Sequence, residues 1–200
     1  SVQPRGGEWD TAMPRLYALS APITASSADT YVWEGGDASW DASNWEVGGS
    51  TQQSPLDNND MEIVLANSVV TVGTSNPTAT SVTVATTSNA KLVVSSGATL
   101  TATGAITVGS NGTLAGEGTV SGAISVSGTV APGASIGTLT VGTGSMTLTG
   151  TLDAELNALA TSTGAADKIV VTSGTQMAIS GSTLKVTGVG RGSASAELNS

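Results

Sequence analysis

The 200-residue sequence contains no cysteine, no histidine and no phenylalanine. Without cysteine there are no disulfide bonds and no thiolate chemistry, and without histidine there is neither Ser-His-Asp catalysis nor a common zinc site. Basic residues are scarce, with six Lys and Arg against fifteen Asp and Glu. Phosphate binding needs Lys and Arg, so nucleic acid is not an expected partner. No apolar run approaches the ~20 residues of a membrane-spanning helix, so no membrane-spanning segment is expected.

Acidic and aromatic residues are concentrated near the N-terminus. Residues 1–62 hold ten acidic and two basic side chains, whereas residues 63–200 hold five and four. All four Trp and both Tyr precede residue 46. We therefore expect three regions: an N-terminal extension at 1–30, an acidic Trp-rich cap segment at 31–62, and a β-solenoid at 63–200.

From about residue 61 onward, apolar residues alternate with polar ones in short bursts separated by Gly, Ser and Asn. Period-2 alternation is typical of a strand with one buried face. The best helix candidate, 154–160, has only seven residues, which is marginal for a helix. The pattern predicts an all-β fold. The alternating pairs are Ile63/Leu65, Val70/Val72, Val82/Val84, Leu92/Val94, Ile106/Val108, Ile124/Val126, Leu139/Val141, Met146/Leu148, Ile169/Val171, Met177/Ile179 and Leu184/Val186.

The predicted strands are too short and too closely spaced for an immunoglobulin-like sandwich. Three of them with their turns make a coil of roughly 20 residues, within the range of solenoid repeats. Small and β-branched side chains suit the narrow interior of such a stack. The spacing therefore favours a β-solenoid with an imperfect repeat.

One segment adds a family resemblance. Residues 130–141 read VAPGASIGTLTV, and residues 167–171 and 181–186 read DKIVV and GSTLKV. Over about residues 105–188 the chain resembles the passenger-associated strand repeat of bacterial autotransporters and related giant surface proteins. The resemblance implies a right-handed parallel β-helix on an exported bacterial protein, located at the cell surface or outside the cell.

Residues 31–45 resemble the Trp-rich opening of many bacterial surface repeat proteins. Trp33, Trp40 and Trp45 have two alternative roles. They either pack as a cap over the exposed end of the first coil, or form a platform on which a surface polysaccharide stacks. On a platform, the polar partners of the sugar would be Asp37, Asp41 and Asn44.

Few other residues are candidates for chemistry, and no cofactor is expected. The oxygen-rich turn at 57–60 makes Asp57 and Asp60 a low-probability calcium site, although the spacing of an EF-hand is missing. Asp153 and Glu155 would share one face of a strand, and a partner carboxylate for glycoside hydrolysis would have to come from an adjacent coil, so a solvated face is the simpler interpretation. An enzyme of the pectin-lyase type is disfavoured by the nearly neutral body and its lack of clustered carboxylates or basic residues. Asp167 is expected to hold a corner through its side chain.

Threonine rows give a further alternative. Thr-x-Thr units occur at 99–101, 138–140 and 147–149, and such units stacked in register on a flat face would template ice. Solvent-facing threonine is also common in strands, and the units are unevenly spaced.

The sequence therefore favours a non-enzymatic, exported structural protein that assembles with itself into filaments. The N-terminal extension is the expected assembly element, because its apolar residues lie outside the strand pattern and would need a partner surface. Those residues are Met13, Leu16, Tyr17, Leu19 and Ile23. The alternative is a monomeric adhesin or glycan-binding module that uses the solenoid as a spacer.

Overall fold

The computed structural model describes residues 29–157, 166–172 and 174–189, and every regular element in these ranges is a β-strand. The first nine are β1 (Thr30–Trp33), β2 (Asp37–Ser39), β3 (Trp45–Val47), β4 (Ser50–Gln53), β5 (Asp60–Ile63), β6 (Ser68–Val72), β7 (Thr78–Ala79), β8 (Ser81–Val84) and β9 (Ala90–Val94). The next nine are β10 (Thr99–Val108), β11 (Gly112–Gly116), β12 (Thr119–Val126), β13 (Thr129–Pro132), β14 (Thr138–Leu148), β15 (Thr151–Asn157), β16 (Lys168–Val171), β17 (Gln176–Ile179) and β18 (Thr183–Val189). The prediction of an all-β fold is confirmed.

The strands form two sheets that are parallel except at one end. Sheet 1 has eleven strands in the order β16-β14-β12-β10-β8-β5-β1-β3-β4, with β17 paired to β14 and β7 paired to β10. Sheet 2 has seven, in the order β18-β15-β13-β11-β9-β6-β2. From β10 to β15 the chain crosses from one sheet to the other after every strand. Among the described strands, the antiparallel pairs are β1–β3 and β3–β4, and β3 and β4 form a hairpin beside β1.

Pairing partners repeat in register and carry apolar side chains at equivalent positions. In sheet 2, Val70, Leu92, Leu114, Val130, Leu152 and Leu184 form one continuous column. In sheet 1, Tyr31, Met61, Val82, Ile106, Ile124, Met146 and Met177 form another. Because side chains alternate between faces, each column keeps one face of its sheet apolar, and the two faces supply the shared core.

Glycine makes the corners between sheets 1 and 2 tight. Gly109, Gly128 and Gly150 follow the ends of β10, β12 and β14. A Cβ on Gly128 would collide with the carbonyl oxygens of Gly109 and Gly112, and one on Gly150 would collide with that of Gly128. Successive turns therefore approach each other backbone to backbone, which leaves no room for a side chain.

The regions expected from the sequence compare with the observed strands as follows. Residues 1–28, with the five expected assembly residues, lie outside the described ranges. The cap segment shares both sheets with the body, since β1 pairs with β5 and β2 pairs with β6, both parallel. Residues 154–157 of the helix candidate belong to β15, because they pair with β18. Leu65 lies beyond the end of β5 and is exposed, so the expected pair Ile63/Leu65 is not a strand pair.

Candidate functional site

The three tryptophans of the cap segment form one cluster at the N-terminal end of the sheets. Trp33 and Trp45 are register partners on β1 and β3, and their ring centroids lie 4.9 Å apart in an edge-on arrangement. Trp40 lies 5.3 Å from Trp45, also edge-on. Such edge-to-face pairs are the favoured geometry of aromatic side chains, so the three indoles pack as a unit.

The three indoles are buried, and the N–H groups of Trp33 and Trp45 are satisfied inside the protein. Trp33 and Trp45 are 0% exposed and Trp40 is 3% exposed. Trp33 Nε1 donates to the Gly36 carbonyl oxygen at 3.1 Å, and Trp45 Nε1 donates to that of Trp40 at 2.9 Å. A sugar stacks on an open ring face, and these rings present none. Between the two roles expected for the cluster, burial favours the cap.

A hollow of about 340 Å³ lies beside the cluster, and Trp40, which is 3% exposed, forms part of its lining. Leu56, which is 66% exposed, stands on its wall. Its lining also includes Asp41, Pro55, Asp57, Ser75, Asn76 and Pro77.

The two aspartates expected at a calcium site act as hydrogen-bond acceptors between neighbouring strands. Asp57 Oδ1 accepts from the Thr78 backbone N–H at 2.9 Å, and Asp60 Oδ1 accepts from Ser81 Oγ at 2.6 Å. Asn59 donates from Nδ2 to the backbone oxygens of Leu56 and Asp57, at 3.1 and 3.3 Å. Across the described ranges, no group of three or more His, Cys, Asp or Glu is placed to hold a metal ion. The hydrogen bonds of Asp57 and Asp60 connect this turn to β7 and β8.

Asp153 and Glu155 line an outer cleft of about 340 Å³ together with Asp167 and Lys185. Lys185 Nζ lies 2.8 Å from Asp153 Oδ2, and both side chains are partly exposed. Asp167 Oδ1 accepts from the Gly137 N–H at 2.8 Å and its Oδ2 accepts from the Glu155 N–H at 2.7 Å. Glu155 Oε2 is buried without a hydrogen-bond partner. The pairing of Asp153 with a lysine and of Asp167 with two amides makes this cleft a structural junction between strands.

Asp167 holds a corner as expected, but it does so differently from an Asx turn. Its two oxygens bridge the loop before β14 to the backbone of β15, far away in sequence. The VAPGASIG loop therefore has a definite role, because Gly137 presents its N–H to this carboxylate.

The Thr-x-Thr units do not lie in register with one another. Thr99 pairs with Thr119 and Thr119 with Thr140, whereas Thr138 pairs with Lys168. A different threonine column runs along sheet 2 through Thr113, Thr129, Thr151 and Thr183. This column was not predicted from the sequence. Two positions further along these strands stand Ala115, Ala131, Asp153 and Lys185. The threonines on this face form a single rank.

A series of asparagines was also not predicted from the sequence. Asn67, Asn89 and Asn111 each lie just before a strand of sheet 2 and line a groove of about 360 Å³ with Lys91 and Thr113. The Asn67 N–H donates to the Asn89 carbonyl oxygen at 2.6 Å. Their even spacing is the signal that would have revealed them. They join one turn to the next.

The C-terminal end differs from the N-terminal end in what it exposes. Ile179 is 62% exposed and Leu184 is 55% exposed, and Val170 and Leu156 nearby are also exposed. Within the described ranges, β16, β17 and β18 each have a strand partner on one side only. Among the described residues, the last strands of both sheets therefore carry exposed apolar side chains.

Comparisons with known proteins returned nothing: no protein-family model, no curated sequence and no solved structure matches the chain. No helix in the described ranges has the length and apolarity to cross a membrane.

Proposed function

We propose that this chain is a right-handed parallel β-helix that serves as a structural protein, exported to the bacterial cell surface or extracellular matrix. In this proposal it is not an enzyme. It assembles with copies of itself into filaments through its N-terminal extension, residues 1–30.

The observation that carries the proposal is the register of the two sheets. The sheet 2 column from Val70 to Leu184 places an apolar side chain of each strand beside that of the next strand. Adjacent strands lie about 4.8 Å apart, so each added coil lengthens the molecule by that amount and adds a row of backbone hydrogen bonds. Such an arrangement yields length and stiffness from a sequence that carries little chemistry.

The polar groups support the same proposal. The carboxylates of Asp57, Asp60 and Asp167 all accept hydrogen bonds from the protein's own backbone or side chains. Asp153 has Lys185 as its ion-pair partner. Of the residues that the sequence offered for metal binding or catalysis, Asp57, Asp60 and Asp153 thus connect strands to each other.

The assembly test is deletion of residues 1–22. We expect the truncated protein to remain folded and to become monomeric, as measured by light scattering after size-exclusion chromatography. A full-length variant with Met13, Leu16, Tyr17, Leu19 and Ile23 all replaced by Ser is the matched control for chain length, and it should behave like the truncation. Polymers that persist in both variants would refute the role of the extension.

A glycan-binding module is the second candidate, and the hollow beside Trp40 is what favours it. On this alternative, a surface polysaccharide would bind against Leu56 and Asp41. Glycan arrays on the intact protein test it. Binding that is lost in Leu56→Ala and Asp41→Ala, but retained in Leu65→Ala, would support the module and leave the body as a spacer.

A further inference from the structure

The groove of about 360 Å³ on the outer face of sheet 2 presents two parallel rows of side chains over the neighbouring strands β6, β9 and β11. The first row is Asn67, Asn89 and Asn111, which directly precede these strands. Because the three strands pair in register from the next residue onward, the asparagines stand about 4.8 Å apart. The second row includes the register partners Lys91 and Thr113. We call this feature the asparagine groove.

The amide groups of the three asparagines are available to a ligand. They are exposed, and among the described residues their side chains make no hydrogen bond. Asparagine is common in turns because its side chain bonds to nearby backbone, and the Nδ2 groups of Asn44 and Asn59 do so here. Asn67 has a backbone reason for its residue type, since its φ is 58°, whereas Asn89 and Asn111 have no positive φ. The turns therefore do not account for the side chains of Asn89 and Asn111.

Lys91 is the charged residue of the groove. It is exposed, and no carboxylate of the described residues lies within ion-pair distance of its ammonium group. Lys91 also borders the outer cleft that contains Asp153, Glu155 and Asp167. Since the carboxylates of that cleft repel an anion, a ligand carboxylate is favoured at Lys91 on the side of the asparagines.

The groups in the groove match a sugar chain that carries a carboxylate. Amide and hydroxyl side chains both donate and accept hydrogen bonds, so they pair with the ring hydroxyls of a saccharide. The ammonium group of Lys91 forms a charge-assisted hydrogen bond with a carboxylate. The apolar lining residues are Val69 and Ala90, which make no pocket for the large side chain of a peptide.

We propose that the asparagine groove binds a segment of a uronic-acid polysaccharide, with one carboxylate on Lys91 and ring hydroxyls on the amides of Asn89 and Asn111. This site goes beyond the proposed function, since it attaches the body of the protein to a polysaccharide and does not depend on self-assembly. It shares no lining residue with the hollow beside Trp40.

The test is isothermal titration calorimetry with a hexamer of galacturonate and, as the matched neutral probe, a hexamer of galactose. We expect the unaltered chain to bind the galacturonate hexamer more tightly. Lys91→Gln should lower that affinity about tenfold, because a hydrogen bond to a charged group is lost, and should remove the difference between the probes. Asn89→Ala with Asn111→Ala should weaken the binding of both hexamers.

The controls alter exposed side chains of the same types on sheet 1. They are Lys168→Gln, and Thr107→Ala with Ser125→Ala, and both should bind like the unaltered chain. Thermal unfolding should be unchanged in every variant, since the altered side chains hold no hydrogen bond among the described residues.

Three results would overturn the proposal. The first is an unaltered chain that binds neither hexamer at millimolar concentration, and the second is equal affinity for both. The third is binding that persists in the groove variants but is lost in Leu56→Ala with Asp41→Ala, which would place the sugar in the hollow beside Trp40. Self-assembly is measured separately by sedimentation velocity, so a chain that stays monomeric but binds galacturonate through Lys91 would refute the filament and support the groove.

Discussion

Gly128 shows what a single residue contributes to this architecture. It lies where one turn rests on the backbone of the turn below, and a methyl group there would collide with the carbonyl oxygens of Gly109 and Gly112. Gly73 offers the contrast, because a Cβ at that position meets no atom within 4 Å. The same residue type is thus required at one corner and replaceable at another.

We expect Gly128→Ala to lower the free energy of unfolding by about 1–3 kcal/mol, the usual cost of overpacking. Gly73→Ala should stay within about 0.5 kcal/mol of the unaltered protein, or gain slightly from a less flexible unfolded chain. Urea unfolding followed by far-ultraviolet circular dichroism measures both. Equal effects for the two substitutions would contradict the close contact of the turns.

The Asp167 carboxylate joins two segments that are distant in the sequence. Its two carboxylate oxygens accept from the N–H groups of Gly137 and Glu155. Asp167→Ala leaves both partly buried donors without their acceptors, so we expect a loss of about 1–3 kcal/mol in the free energy of unfolding. Asp37→Ala, at an exposed position in β2, is the control and should change it by less than about 0.5 kcal/mol. If Asp167→Ala left the free energy of unfolding unchanged, these two hydrogen bonds would contribute no stability.

At the scale of elements, ten of the eleven alternating pairs seen in the sequence lie in strands. Period-2 alternation predicts these strands correctly because each strand has one buried face. The alternation of apolar and polar residues that this requires can be read from the local sequence. Leu65 fails because alternation continued past the end of β5 into a turn, where the leucine is exposed. Local pattern does not show where pairing stops, since pairing depends on the neighbouring strand.

The candidate sites were less predictable for the same reason. Sequence placed Trp33, Trp40 and Trp45 together but left open whether their faces were covered, which depends on the hairpin β3–β4. The ion pair between Asp153 and Lys185 joins residues of β15 and β18 that only sheet register brings together. The exposure of Ile179 and Leu184 had no signal in sequence, because their residue types match the buried members of their columns.

The tryptophan cluster gives a prediction at this scale. Trp45→Ala would leave a cavity between β1 and β3 and would remove the N–H that the Trp40 carbonyl oxygen accepts. We expect a loss of about 3–5 kcal/mol, the range for large aromatic residues in cores. Since three of the four tryptophans belong to this cluster, intrinsic fluorescence reports mainly on it.

The control for the cluster is Leu56→Ala, which truncates an exposed leucine of the same end and should leave the unfolding midpoint unchanged. A Trp45→Ala variant with the same midpoint as the unaltered protein would show that the cluster does not hold the hairpin to the sheets.

At the scale of the whole molecule, the two sheets repeat the same apolar columns from strand to strand. In sheet 2, Val70, Leu92 and Leu114 are successive register partners. The proposed assembly would extend this repetition beyond one molecule, because head-to-tail contacts that do not close give a filament.

Electron microscopy of the purified protein over a range of concentrations tests this account most directly. The account predicts unbranched fibres with a regular axial repeat, which lengthen as concentration rises and disappear when residues 1–22 are deleted. Discrete short rods of constant length at every concentration would contradict it, and would leave the hollow beside Trp40 as the part of the molecule to test for a ligand.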